Sequence, residues 1–123
     1  MMQLWRKRAA RRLGQSAEDQ ACAELQARGL KLIERNYRVR GGEIDLILRA
    51  PDGTLVFVEV RARTHDGFGG AAASIGTRKR QRIILAARHY LARLAQEPVC
   101  RFDVVTLDAG RLEWLPGAFA AEG

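Results

Sequence analysis

Between Gly41 and Arg63 apolar and polar residues alternate in a way that predicts two strands joined by a turn. In GGEIDLIL, Glu43, Asp45 and Ile47 fall on one face, with Ile44, Leu46 and Leu48 on the other. In LVFVEVRAR, Leu55, Phe57, Glu59, Arg61 and Arg63 share a face, backed by Val56, Val58, Val60 and Ala62. Pro51-Asp52-Gly53 is a turn signal, because proline presets φ and glycine admits φ > 0. With those three residues as the loop, paired positions sum to 104, which sets Asp45 opposite Glu59 and Glu43 opposite Arg61.

The remaining pattern is read around that hairpin. Ser16 reads as an N-cap with Asp19 at N3 of a capping box, opening a helix that runs to about Arg28 and stops at Gly29. Its apolar stripe is Ala17, Ala21, Cys22 and Leu25, and Glu18 lies on the same stripe. Leu30 to Val39 predicts a strand of imperfect alternation. Thr77 to Gln96 is the clearest helix, with Ile83, Ile84, Ala87, Tyr90, Leu91 and Leu94 as its apolar face and Pro98 beyond its end. Cys100 to Leu107 and Arg111 to Leu115 predict two further strands around an Asp-Ala-Gly turn, and Asp103, on an otherwise apolar strand, is expected to pair with a buried arginine. Residues 64–74, THDGFGGAAAS with His65, read as a loop, residues 1–13 as a basic arm, and residues 117–123 as a tail that frays. With neither a repeat nor a linker, the pattern predicts a single domain.

The hairpin register carries chemistry. Directly opposed residues have Cβ atoms roughly 4.5–5.5 Å apart, and like charges so placed repel. The flanking residues are apolar, so Asp45 and Glu59 are partly desolvated, which raises the cost. A shared proton, nearby arginines or a divalent cation could offset it. Mg²⁺ binds through one or two carboxylates plus waters and phosphates, and converging acids beside a cation suit phosphodiester cleavage. The plainer alternative is a solvated strand face with Glu43 and Arg61 as an ordinary cross-strand pair. Glu18 likewise reads in two ways: as an acid favoured in the first helical turn, or as a group aimed at the carboxylate pair.

Charge points toward the partner. The 123 residues hold 21 Lys+Arg against 14 Asp+Glu, a formal net charge of +7. Arginine dominates, and its planar fork suits phosphate oxygens, so nucleic acid is the first partner to consider. An arginine-enriching genome would give the same composition. Arg6, Lys7, Arg8, Arg11 and Arg12 make the N-terminal arm either a phosphate-backbone contact or a solubilising tail. Arg78, Lys79, Arg80 and Arg82 open the long helix against its dipole, which an anion bound there would explain. Cys22 and Cys100 have no metal-ligand spacing and suit free thiols in a reducing cytoplasm. No apolar run approaches the roughly 18 residues of a membrane span, and MMQLWRKRAARR lacks the apolar core of a signal peptide.

Several longer motifs resemble the YraN family of small bacterial proteins. They are the helix with Glu18 and Ala21, ERNYR at Glu34–Arg38, GGEIDLI at Gly41–Ile47, FVEVRAR at Phe57–Arg63, FGGAAAS at Phe68–Ser74, Lys79, and RFDVV at Arg101–Val105. That family is similar to restriction-endonuclease-like nucleases and archaeal Holliday-junction resolvases. The resemblance implies an α/β fold with a mixed central β-sheet flanked by helices. It also implies a signature of an acid followed on the next strand by Asp/Glu-x-Lys, here Asp45 and Glu59-Val60-Arg61, with Glu18 as the acid of the first helix. The implied activity is Mg²⁺- or Mn²⁺-dependent cleavage of branched or structured DNA. Asp45 and Glu59 would hold the metal, Arg61 would face the phosphate, and Arg78, Lys79, Arg80, Arg82, Arg63, Arg6 and Arg8 would contact backbone. A two-fold pair of copies would suit a junction. Arg61 departs from the pattern, since lysine can position and help deprotonate water whereas arginine stays protonated. The alternatives are a non-catalytic nucleic-acid-binding module on the same scaffold and an adaptor whose basic surface docks an acidic protein.

Overall fold

The computed structural model describes residues 16–63 and 75–121. The N-terminal arm with Arg6 and Arg8, and the 64–74 loop with His65, lie outside them. Helix α1 occupies 16–27, and then come β1 (Lys31–Val39), β2 (Gly42–Arg49), β3 (Leu55–Arg63), α2 (Thr77–Leu91), β4 (Cys100–Asp108) and β5 (Arg111–Phe119). The strands form one sheet in the order β1-β2-β3-β4-β5, antiparallel throughout except for parallel β3 and β4. Among the described residues the protein is thus α/β with a mixed sheet and two helices, the arrangement the sequence led us to expect.

The helices pack on opposite faces. Ala21, Cys22 and Leu25 of α1 join Leu46, Leu48, Val56, Val58 and Val105 in one core. Ile83, Ala86, Ala87 and Tyr90 of α2 join Ile47, Leu55, Phe57, Phe102 and Val104 in the other. Alternating residues of β3 therefore divide between the two layers, as the period-2 pattern requires. Rings reinforce the α2 layer: Phe57 stacks on Phe102 at 5.5 Å between centroids, Phe102 on Phe119 at 5.0 Å, and Tyr90 meets Tyr37 edge-on at 5.3 Å. Among the described residues no helix is long and apolar enough to cross a membrane.

The β2–β3 register is the expected one: Leu46 pairs with Val58, Ile47 with Phe57, Leu48 with Val56 and Arg49 with Leu55. The turn closes through Ala50 N–H to Thr54 O at 2.8 Å, with the Asp52 carboxylate accepting Thr54 N–H at 2.9 Å and Gly53 at φ 93°. The expected faces of β2, however, need correction. Ile44 packs with the α2 layer and Leu46 with the α1 layer, although residues two apart share a face in a regular strand. On β1 the same reversal separates Arg35, which reaches α1, from Tyr37, which packs toward α2. Asn36, at φ 52°, sits between the rungs Arg35–Leu46 and Tyr37–Ile44 and rotates the strand there. Asp45 lies at this reversal.

Three boundaries also differ. Ser16 is already helical and accepts a hydrogen bond from Gln20, while Asp19 bonds Arg35 at 2.6 Å instead of closing a capping box. Helix α2 ends at Leu91 rather than near Gln96, because Arg93 and Leu94 turn their N–H groups to carbonyls three residues back and the Arg93 guanidinium covers Tyr37 and Tyr90. Strand β5 continues through 117–119, where fraying was expected. The fully buried Asp103 explains this, accepting from Arg101 Nε at 3.1 Å, Trp114 Nε1 at 3.0 Å and the Gly117 N–H at 2.9 Å.

Helix α2 rides directly on the start of β2. A Cβ added at Gly42 would stand 2.3 Å from the Arg82 carbonyl oxygen and 3.1 Å from the Ala86 nitrogen, and backbone atoms cannot swing aside as a side chain can. Gly42→Ala should therefore lower stability by about 1–3 kcal/mol. Chemical denaturation would show it as a lower midpoint with an unchanged slope.

Candidate functional site

Four elements deliver charged groups to one place. Asp45 stands where β2 turns over, one rung beyond the last recorded β2–β3 pair, Leu46–Val58. The ladder is replaced there by a side chain: Val60 N–H donates to Asp45 Oδ2 at 2.8 Å. Glu59 precedes Val60 on β3 and is only 4% exposed. Its Oε1 lies 3.5 Å from Lys79 Nζ on the first turn of α2, and its Oε2 is buried without a hydrogen-bond partner. Glu43, two residues before Asp45, also approaches Lys79 Nζ, at 3.6 Å, and pairs with Arg38 across β1 at 3.3 Å. The expected Glu43–Arg61 rung is not part of the ladder, because the pairing ends before it.

Glu18 arrives from the opposite face. Its side chain is 17% exposed, and its Oε1 is 3.6 Å from Arg35 Nη2 on β1. That oxygen and Arg35 Nε are both buried without hydrogen-bond partners. The sheet reversal at Asn36 and Asp45 makes this possible: a carboxylate at the crossover feels a side chain from each helix.

The electrostatics follow from this geometry. Burial pushes the Glu59 carboxyl up to about 8, the Asp45 charge adds to the rise, and the Lys79 and Arg61 cations oppose it. Asp45 is also raised, first by burial, although the Val60 N–H and Lys79 pull it back. Burial raises Glu18 too, and the Asp45 charge pushes in the same direction. The pair thus favours holding a proton or a cation.

The structure divides the other sequence candidates. Arg78 and Arg82 are exposed, while Lys79 turns to the carboxylates. Arg80 is a clamp, donating from Nε to the Ile75 carbonyl at 2.9 Å with its guanidinium 5.5 Å from the Phe119 ring centroid. Arg61 lies on β3 two residues beyond Glu59, close enough to act on its charge, and Arg63 ends the strand. Arg35 escaped the sequence reading, although the polar run Glu34-Arg35-Asn36 inside a strand was a signal of it. The reach of Lys79 depends on how α2 docks, which no local pattern encodes.

Among the described residues no three His, Cys, Asp or Glu side chains converge closely enough to hold a metal ion by themselves. Two do offer hard oxygen ligands, Asp45 and Glu59, and the unpartnered Glu59 Oε2 fits such a role.

The raised carboxyl has a consequence for stability. Folded Glu59 keeps its proton to about 8, whereas the unfolded chain releases it near the ordinary glutamate value of 4.5. Between those values the unfolded state binds fewer protons, so stability falls as pH rises and levels off above the folded pKa. In metal-free buffer, Glu59→Gln should melt about 5 °C or more above wild type near pH 8.5, with the gap closing near pH 5. Calorimetry at the two pH values checks both the sign and the window.

A match to the family described as Uncharacterised protein family UPF0102 spans residues 17–107 and so includes Glu18, Asp45, Glu59 and Lys79. A UPF0102 protein of Cupriavidus taiwanensis is 64% identical over 109 residues, covering 89% of this chain and 83% of its own length. One from Albidiferax ferrireducens is 58% identical over 115 residues, covering 91% and 90%. One from Methylibium petroleiphilum is 56% identical over 115 residues, covering 89% and 94%. The extent of these matches shows that the chain belongs to the UPF0102 family, which is the YraN family whose motifs its sequence carries.

Proposed function

We propose that this protein is a divalent-cation-dependent endonuclease acting on branched or otherwise structured DNA in the cytoplasm. The observation that carries the reading is Glu59, a buried carboxylate with an unpartnered oxygen, set beside Asp45 and facing a lysine. Burying two neighbouring carboxyl groups is costly; a retained proton and the Lys79 ammonium offset part of that cost, and a divalent cation bound between them would offset it while keeping both ionised. The formal charge of +7, and exposed Arg78 and Arg82 beside the site, support a nucleic-acid partner. The preference for DNA of branched shape rests on the family's similarity to junction resolvases.

In this reading Asp45 and Glu59 hold Mg²⁺ or Mn²⁺, with Glu18 and Glu43 acting through water. When bound, the ion lowers the pKa of water and neutralises charge on the phosphate. The Val60 N–H fixes the Asp45 carboxylate in one orientation. Arg61, a permanent cation on the Glu59 face of β3, stabilises negative charge that builds on the phosphate in the transition state. Arg78 and Arg82, four residues apart on α2, contact the backbone.

Arg61 also favours a second reading, a binding module that keeps the scaffold without the chemistry. The test uses junction, flap and linear DNA with Mg²⁺ or Mn²⁺, wild type beside Asp45→Asn. The nuclease reading expects metal-dependent nicking, reduced by about two orders of magnitude or more in the variant, with DNA binding kept or strengthened. Metal-independent, salt-sensitive binding with no cleavage by wild type would instead favour the module.

A further inference from the structure

We propose that Lys79 is a catalytic residue of this site, its ammonium contacting the attacking water or a non-bridging oxygen of the scissile phosphate. The assignment rests on the nuclease reading above and adds to it a group on α2. Lys79 Nζ lies 3.5 Å from Glu59 Oε1 and 3.6 Å from Glu43 Oε1, both longer than the 2.7–2.9 Å typical of a charge-assisted hydrogen bond. The ammonium is therefore shared between the two carboxylates. Its side chain is 27% exposed, so one side of it faces the approach from solvent.

The anchoring of α2 makes this placement specific. The Arg80 clamp to Ile75 and Phe119 fixes the first turn, and the contact of Gly42 with the Arg82 carbonyl fixes the next. Lys79 immediately precedes those two anchors on the same helix. A compact ammonium carries three donors on a tetrahedral nitrogen, so it can serve two carboxylates and still offer a donor to a third oxygen. Arg61 cannot duplicate that geometry, because its planar guanidinium spreads its donors in a fork.

In the step itself the water oxygen bonds to phosphorus, the bond from phosphorus to the leaving ester oxygen breaks, and that oxygen takes a proton from solvent. The proton lost by the water also passes to solvent. Lys79 stays an ammonium throughout, lowering the energy of the charged oxygens by donating hydrogen bonds.

The experiment compares wild type, Asp45→Asn, Lys79→Arg, Lys79→Met and the interchange Arg61→Lys/Lys79→Arg. It reads three quantities: Mn²⁺ affinity by calorimetry, DNA binding, and single-turnover cleavage of a junction with Mn²⁺. Lys79→Arg keeps a positive charge beside Glu43 and Glu59, so a purely structural counter-ion role would leave cleavage unchanged. We expect Lys79→Arg to lose about tenfold or more in cleavage at unchanged melting temperature, and Lys79→Met to lose more. Lys79→Met should bind Mn²⁺ at least as tightly as wild type, because the competing ammonium is gone, whereas Asp45→Asn should bind it more weakly. The interchange variant should recover about tenfold over Lys79→Arg, since it returns a lysine to the carboxylate pair from the strand. Cleavage by Lys79→Arg at the wild-type rate, or an interchange variant no better than Lys79→Arg, overturns the assignment while leaving the nuclease reading intact. Wild type that neither binds Mn²⁺ nor cleaves overturns that reading, and the role of Lys79 falls with it.

Discussion

Everything at the centre of this molecule is arranged around the cost of removing the Glu59 carboxyl from water beside Asp45. Apolar neighbours on β3 and β4 leave Glu59 4% exposed, and burial is the main reason its proton is held so tightly. Lys79 reduces that cost and the Val60 N–H secures its partner. A fold selected for stability alone would put a leucine at such a position, since a well-packed apolar group often does as well as a buried charged one. The presence of the acid, with one oxygen unpartnered, is what makes the site a functional candidate.

The surrounding architecture brings side chains from both faces of the sheet to the place where β2 and β3 part. In a flat sheet a helix on one side could not address a residue turned to the other. The left-handed turn at Asn36 and the reversal between Ile44 and Leu46 remove that barrier, and the β2–β3 ladder opens where it would otherwise occupy the Val60 amide. Parallel pairing of β3 with β4 then requires a crossover, and α2 is the helix that returns the chain over the sheet.

Much of this was legible in the sequence, for identifiable reasons. The hairpin register followed from Pro51-Asp52-Gly53, a turn whose chemistry is local, although the ladder ends at Leu46–Val58, one rung short of the expected Asp45–Glu59 pair, and Asp45 bonds the Val60 amide instead. Glu18 was legible as an acid on an apolar stripe. The side change of Ile44 was not, because alternation assumes a regular strand and one asparagine in the left-handed region suffices to break it. The continuation of β5 past Pro116 was hidden as well, since it depends on Asp103, fourteen residues from the Gly117 amide it binds. The docking of Lys79 depends on the absence of a single Cβ at Gly42, and its contacts become visible only when two elements are placed together.

The irregular outer strands bear on how the protein behaves at high concentration. A flat, regular outer strand offers unpaired amides and carbonyls to any neighbouring chain and can template fibrils. On one side of this sheet, β1 shifts register between Leu32 and Glu34 and turns left-handed at Asn36. On the other, β5 loses an amide at Pro116 and bends at Gly117, where φ is 61°. Neither margin presents a straight row of donors and acceptors long enough for another strand to add along its full length. The same irregularities that let Glu18 approach the site and let β5 lock onto Asp103 thus also leave neither outer strand a regular template for another chain.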